Sequence, residues 1–177
     1  HVLRFLVNKQ NHKPTVQTVK CMKTAIIYAT SHGTTEKVCK TIAAKIDQSD
    51  LIDLKKTGPI DLSSYGQAII GGSIHAGRIQ KRVQSFCQNN RDRMLQMRIG
   101  LFICAMNEAE FEKELNLAFP EWIRNHAISK KVTGGEFLFE KMNFIERFLI
   151  KKISGISQSV SNIDYSKIDE LVAEMSQ

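Results

Sequence analysis

Short apolar runs punctuate the chain, and between them apolar residues fall at helical spacing. Residues 24–29 (TAIIYA) are β-branched and apolar, which predicts a strand buried on both faces. After a polar turn at 30–34, Val38, Ile42 and Ile46 share one face with Ala43 beside them, predicting a helix over 35–46. A second short strand is read at 51–54 (LIDL), broken off by Gly58-Pro59. Residues 67–72 (QAIIGG) predict a third strand, and 80–90 a helix with Val83, Phe86 and Cys87 inward. The most hydrophobic strand, 98–105 (RIGLFICA), is expected at the centre of the sheet. A helix follows over 111–122, then a fifth strand over 131–139 through a Gly134-Gly135 kink. Helices at 143–153 and 165–175 close the chain, with 154–161 (SGISQSVS) as a polar loop between them.

Strand and helix are read as alternating five times, which predicts an α/β fold with one parallel sheet and helices on both faces. The 177 residues suit one domain, and 42% apolar content supplies an ordinary core. The formal charge of +7 is unevenly spread. Residues 1–21 carry Arg4, Lys9, Lys13 and Lys20 and no acid, leaving 21 bases against 18 acids in the rest. A pI near 9.3 is therefore partly a tail effect and does not argue for nucleic-acid binding. The tail has no initiating Met, whereas MKTAIIYAT, from Met22, has the look of a protein start. Residues 1–21 are accordingly read as an upstream extension, or else a basic arm, and residues 22–177 as the domain. No run of 18 apolar residues offers a membrane span. Cys21, Cys39, Cys87 and Cys104 form neither a C-x-x-C nor a zinc spacing, and read as reduced thiols in a cytoplasmic protein. No metal site is expected.

The first strand–turn–helix, IIYAT-SHGTTEKV, carries the clearest chemistry. A phosphate needs dense donors and a close backbone approach, and Gly33 removes the Cβ that would block it. Thr30, Ser31, Thr34 and Thr35 offer hydroxyls, and the amides opening the helix face the anion along the helix dipole. Neither a P-loop lysine nor G-x-G-x-x-G is present, so a monophosphate fits better than a nucleoside triphosphate. The plainer alternative is a helix capped by Thr34 or Ser31 with no ligand. Ligands of open α/β sheets sit outside the carboxyl ends of the strands. Two further loops fall there: IIGGSIHAGRIQ after the third strand and CAMNEAEF after the fourth.

The stretch Thr30-x-x-Gly33-x-Thr35 resembles the phosphate loop of flavodoxins, with His32 where that family usually has Thr. Together with MKTAIIYATSHGTT, IIGGSIHAGRIQ and FIERFLIKKISG, residues 22–175 resemble the bacterial quinone-dependent protoporphyrinogen IX dehydrogenases, a flavodoxin-like family. The resemblance implies a three-layer sandwich with strand order 2-1-3-4-5 and FMN as cofactor. It places Thr30, Ser31, His32, Gly33, Thr34 and Thr35 around the phosphate. Ser73, Ile74, His75, Ala76 and Gly77, with Met106, Asn107 and Glu108, would border the flavin ring, where backbone donors can tune its redox behaviour.

In the late helix, Phe144, Ile145, Phe148, Leu149 and Ile153 form a wide apolar face rimmed by Lys141, Arg147, Lys151 and Lys152. It is read as an anionic-lipid contact, a border to an apolar substrate, or a plain cover for the sheet. The bases Arg78, Lys81, Arg82, Arg91, Arg93 and Arg98 cluster after the second loop, and suit the carboxylates of a porphyrinogen or simply a solvated face. His32 and His75 are loop histidines and are not read as catalytic; the flavin does the bond chemistry. Trp122 reads as core rather than flavin-stacking. Three functions fit these residues. They are oxidation of a porphyrinogen-like substrate with a quinone acceptor, electron carriage between protein partners, and an FMN-dependent quinone reductase. The candidate substrate or membrane residues are Arg78, Lys81, Arg82, Arg147, Phe148, Lys151 and Lys152.

Overall fold

The computed structural model describes residues 23–74, 77–106 and 108–177. Its centre is a five-stranded parallel sheet in the order β2-β1-β3-β4-β5. The strands are β1 (Thr24–Ala29), β2 (Ser49–Asp53), β3 (Gln67–Ser73), β4 (Arg98–Cys104) and β5 (Ser129–Val132). Every residue of β1 is buried, as a strand covered on both faces requires. One face carries α1 (Thr34–Ala43) and the C-terminal helix α7 (Tyr165–Met175); Val38, Ile42, Ile168 and Leu171 pack there on Ile26, Ile69 and Phe102. The other carries α2 (Lys81–Asn89), the short α3 (Arg91–Met94), α4 (Phe111–Ala118) and α5 (Glu121–His126) over Ile27, Ile70, Leu101 and Ile103. β4 is interior, but β3 holds the middle position expected for β4.

Several sequence expectations are corrected. No helix joins β2 to β3; an irregular segment through Gly58-Pro59 brings Leu62 and Tyr65 onto the sheet instead. The helix expected over 111–122 is split, because Pro120 disfavours helical backbone at Phe119, which is extended with ψ 139°. The expected fifth strand is two strands in different sheets. β5 ends at Val132, and β6 (Gly134–Phe137) pairs antiparallel with β7 (Val160–Ile163) in a separate ribbon. Part of the polar loop expected over 154–161 is thus the start of β7. Between the ribbon's strands lies α6 (Phe144–Ser154), started by a reciprocal capping box of Asn143 and Glu146 and stopped by Gly155. The expected extension at 1–21 lies outside the described residues.

Cys39, Cys87 and Cys104 are buried and unbridged. Burial pushes their thiols up: Cys104 to about 11, Cys87 to about 12 and Cys39 well above its ordinary value. They stay protonated at neutral pH and serve as small core residues.

α7 begins at Asp164, whose carboxylate accepts from the amides of Ser166 and Lys167 at 2.9 and 3.2 Å. Hydrogen bonds from the Ser166 side chain and the Lys167 amide hold its pKa below the ordinary aspartate value. Asp164→Ala is expected to cost about 1 kcal/mol, measured by urea denaturation at neutral pH. The depressed folded pKa makes the cap's contribution complete above the unfolded aspartate pKa. It is lost as pH falls through the folded value, so the gap between variant and parent should shrink in acid.

Candidate functional site

β1, β3 and β4 are neighbours in register, with Ala29 opposite Gly72 and Ser73 opposite Cys104. Their following loops therefore emerge side by side along one edge of the sheet. β1 is flanked by β2 on one side and β3 on the other, so the chain reverses its direction of travel across the sheet there. That is the switch point where crevices open in such sheets.

The turn after β1 holds the residues expected around a phosphate. Thr30 Oγ1 accepts from the Gly33 amide at 2.9 Å, tightening the turn. Gly33 is the N-cap of α1, at φ 97° in the left-handed region, and among the described residues no side chain caps the helix. Neither Thr34 nor Ser31 does so. The first helical bond runs from Lys37 N to Gly33 O, so the amides of Thr34, Thr35 and Glu36 precede the ladder. Ser31 Oγ accepts from Lys55 Nζ at 3.4 Å. The Thr35 hydroxyl is fully buried and, among the described residues, makes no hydrogen bond of ordinary geometry, its one polar contact being the weakly accepting Cys104 thiol. An unpaired buried hydroxyl beside uncapped amides costs free energy, and a phosphate with several acceptor oxygens suits such a donor set.

The ribbon and α6 reach this turn from 100 residues away in sequence. His32 Nε2 lies 3.3 Å from Glu146 Oε2, the same carboxylate oxygen that accepts from the Asn143 amide at 2.9 Å. Lys37 donates to Glu136 of β6 at 2.8 Å. Burial pushes the Glu136 carboxyl up, but hydrogen bonds from Lys37 and Ser161, with the Thr34 hydroxyl near, hold it below its ordinary value. Lys141 Nζ stands 3.3 Å from where a Cβ on Gly33 would sit. Sequence reading placed Lys141 only on the rim of α6 and overlooked Lys55.

The other expected site residues divide. Ser73 accepts from Gln80 Nε2 at 2.8 Å, and the Ile74 amide donates to Cys104 O at 3.0 Å, so the β3 loop is tied to the β4 end. Met106 follows β4, its sulfur near Gly135 of β6. Gly77 turns at φ 74°, and Glu108 opens a 3-10 turn, 108–110. His75, Ala76 and Asn107 lie outside the described residues. The basic cluster is dispersed. Arg93 donates to the carbonyls of Leu62 and Tyr65, Arg98 to those of Glu174 and Met175 at the end of α7, and Arg91 lies over Trp122 with 5.5 Å to the ring centroid. Lys81 and Arg82 instead line a groove that runs along α2 beside Gly58-Pro59, with Phe86 on its wall. Trp122 is half-buried against the core.

In α6, Phe144, Ile145, Phe148 and Leu149 are 84%, 74%, 61% and 47% exposed, so the helix does not cover the sheet with its apolar face. Arg147, Lys151 and Lys152 are exposed beside them. Among the described residues, no helix is long and apolar enough to cross a membrane.

A protoporphyrinogen IX dehydrogenase [quinone] of Leishmania major is 22% identical over 165 residues, covering 85% of this chain and 70% of the relative. A Fusobacterium nucleatum flavodoxin bound to flavin mononucleotide superposes with a TM-score of 0.50 at 13% identity, over 88% of this chain and 97% of that one. The rubredoxin oxygen:oxidoreductase of Desulfovibrio gigas gives 0.52 at 15% identity over 87% of this chain, which spans only 34% of that larger protein. These structural likenesses establish the fold. A family model described as "Flavodoxin domain" matches residues 25–164. With that match and its 2-1-3-4-5 sheet, the chain belongs to the flavodoxin domain family.

Proposed function

We propose that this chain is an FMN-dependent oxidoreductase that oxidises a porphyrinogen-like substrate, apolar and anionic, with a quinone as acceptor. The observation that carries the cofactor assignment is the turn after β1. It sets uncapped α1 amides and the unpartnered Thr35 hydroxyl at the switch point, with Gly33 leaving the approach open. Thr30, Ser31, Thr34 and Thr35 hold the phosphate, and His32 shapes the turn through Glu146. The loops from Ser73 to Gly77 and from Met106 to Glu108 are assigned to the border of the ring. Bound FMN supplies the hydride acceptor and the route of electrons to the quinone. The chain itself binds and orients, with no side chain assigned as an essential base.

Support for the substrate comes from the similarity to the Leishmania major relative and from charge. Arg78, Lys81 and Arg82 follow the ring-bordering loop, and among the described residues no carboxylate lies within 4 Å of Lys81 or Arg82. Carboxylates of the substrate meet them there. The exposed apolar face of α6, with Arg147, Lys151 and Lys152, suits the surface of an anionic membrane, from which quinones and porphyrinogens partition.

The test is anaerobic. Protein reconstituted with FMN is mixed with protoporphyrinogen, then with menadione. Bleaching of the flavin by the porphyrinogen and its return with menadione are expected. A flavin that stays oxidised with porphyrinogen, yet exchanges single electrons with a reductase partner, would make the chain an electron carrier.

A further inference from the structure

We infer that Lys141, reaching back from the ribbon, and Lys55, reaching forward from the end of β2, form a two-ammonium clamp on the FMN phosphate. The clamp would make this chain discriminate FMN from riboflavin by charge. The inference rests on the FMN reading and adds to it two residues that the loop motif does not contain.

Lys141 Nζ lies 3.3 Å from the position of a Gly33 Cβ, directly over the one residue whose missing side chain opens the turn. Lys55 Nζ stands on the other member of the turn, 3.4 Å from Ser31 Oγ. The lysines sharing the groove beside Gly33 are already matched: Lys37 with Glu136, Lys40 with Glu36 and Lys45 with Asp169, each at 2.8 Å. Lys141 and Lys55 have no carboxylate within 4 Å among the described residues. Glu36 and Glu140 feel the Lys141 charge only from beyond that distance, so neither ammonium is held in an ion pair beside the uncapped amides of the turn.

The placement of Lys141 is braced on both sides. Its amide donates to Leu138 O at 2.9 Å, the Phe139 amide to Ser159 Oγ at 2.9 Å, and Glu146 holds His32 across the turn. A side chain delivered by so tied a segment loses less entropy on binding than a free lysine would. A phosphate dianion adds a Coulomb attraction that a neutral ribityl end lacks.

Titrations of flavin fluorescence with FMN and with riboflavin test the clamp. The parent protein should bind FMN far more tightly than riboflavin, and less so as salt rises. Lys141→Met should weaken FMN about tenfold and Lys55→Met/Lys141→Met further. Riboflavin affinity should be unchanged in both, and Lys141→Arg should restore most of the FMN affinity. The phosphorus resonance of bound FMN gives a second readout. Its protonation should fall to lower pH in the parent than in free FMN, and return toward the free value in Lys141→Met. If the parent binds FMN no better than riboflavin, or Lys141→Met weakens both flavins alike or neither, the clamp is refuted and flavin binding stands. If the parent quenches neither flavin, the FMN reading falls and the clamp with it.

Discussion

Gly33→Val is expected to abolish tight FMN binding, raising the Kd by about two orders of magnitude, or roughly 3 kcal/mol. Two effects combine. Gly33 sits at φ 97°, a conformation that a β-branched residue adopts only with strain of about 1–3 kcal/mol. Relaxing that strain moves the turn and with it the first amides of α1. The new side chain also stands where the phosphate approaches, its Cβ 3.3 Å from Lys141 Nζ. Lysine can shift away, so the fold survives and the loss falls on the ligand. Fluorescence titration measures the Kd, and circular dichroism confirms that the variant is folded. An unchanged Kd in a folded variant would remove the turn from the site.

Gly134→Ala should have the largest effect on stability, about 2–5 kcal/mol. Gly134 is at φ 66°, and a Cβ there would lie 1.8 Å from Asn162 O and 2.9 Å from its carbonyl carbon. Those are backbone atoms of β7 and cannot rotate out of the way. The position is a junction: Gly134 O accepts from the Ala105 amide at 3.0 Å, while β6 opens its pairing with Ile163. Alanine must therefore part the ribbon from the sheet or distort both. The urea midpoint should fall accordingly. FMN affinity should fall too, because the ribbon carries Lys141 and Glu146 to the phosphate turn. A shift under about 1 kcal/mol would mean that the ribbon is not anchored as described.

The two glycines also mark what the sequence could and could not disclose. The turn at Gly33 was legible because everything it needs is local: an apolar run, clustered hydroxyls, a glycine and a helical pattern within fifteen residues. Its helix boundaries were off by one to three residues, as fraying ends usually are. The switch at Gly134 was not legible. An apolar stretch interrupted by Gly-Gly reads as one kinked strand, since a strand's own residues do not name its partner. Strand β7 was hidden for a related reason. Val160 and Ile163 do not alternate, and a two-stranded ribbon outside the core imposes little hydrophobic pattern.

Charge was the least legible feature. Six nearby bases after β3 looked like one patch, but folding spends Arg93 and Arg98 on carbonyls and Arg91 on an indole ring. Of the two ammoniums that overlook the turn, Lys141 is 108 positions from Gly33, and the ribbon's path connects them. The apolar face of α6 was read correctly as a face. That it points to solvent, rather than covering the sheet, depended on the ribbon carrying it off the main sheet.

The measurement that bears most directly on the central claim is a titration of FMN with the purified chain, followed by flavin fluorescence. Saturable quenching at one flavin per chain, lost in Gly33→Val, is the expected result. Undiminished fluorescence at protein concentrations well above micromolar would contradict the assignment of the turn after β1 as a flavin phosphate site.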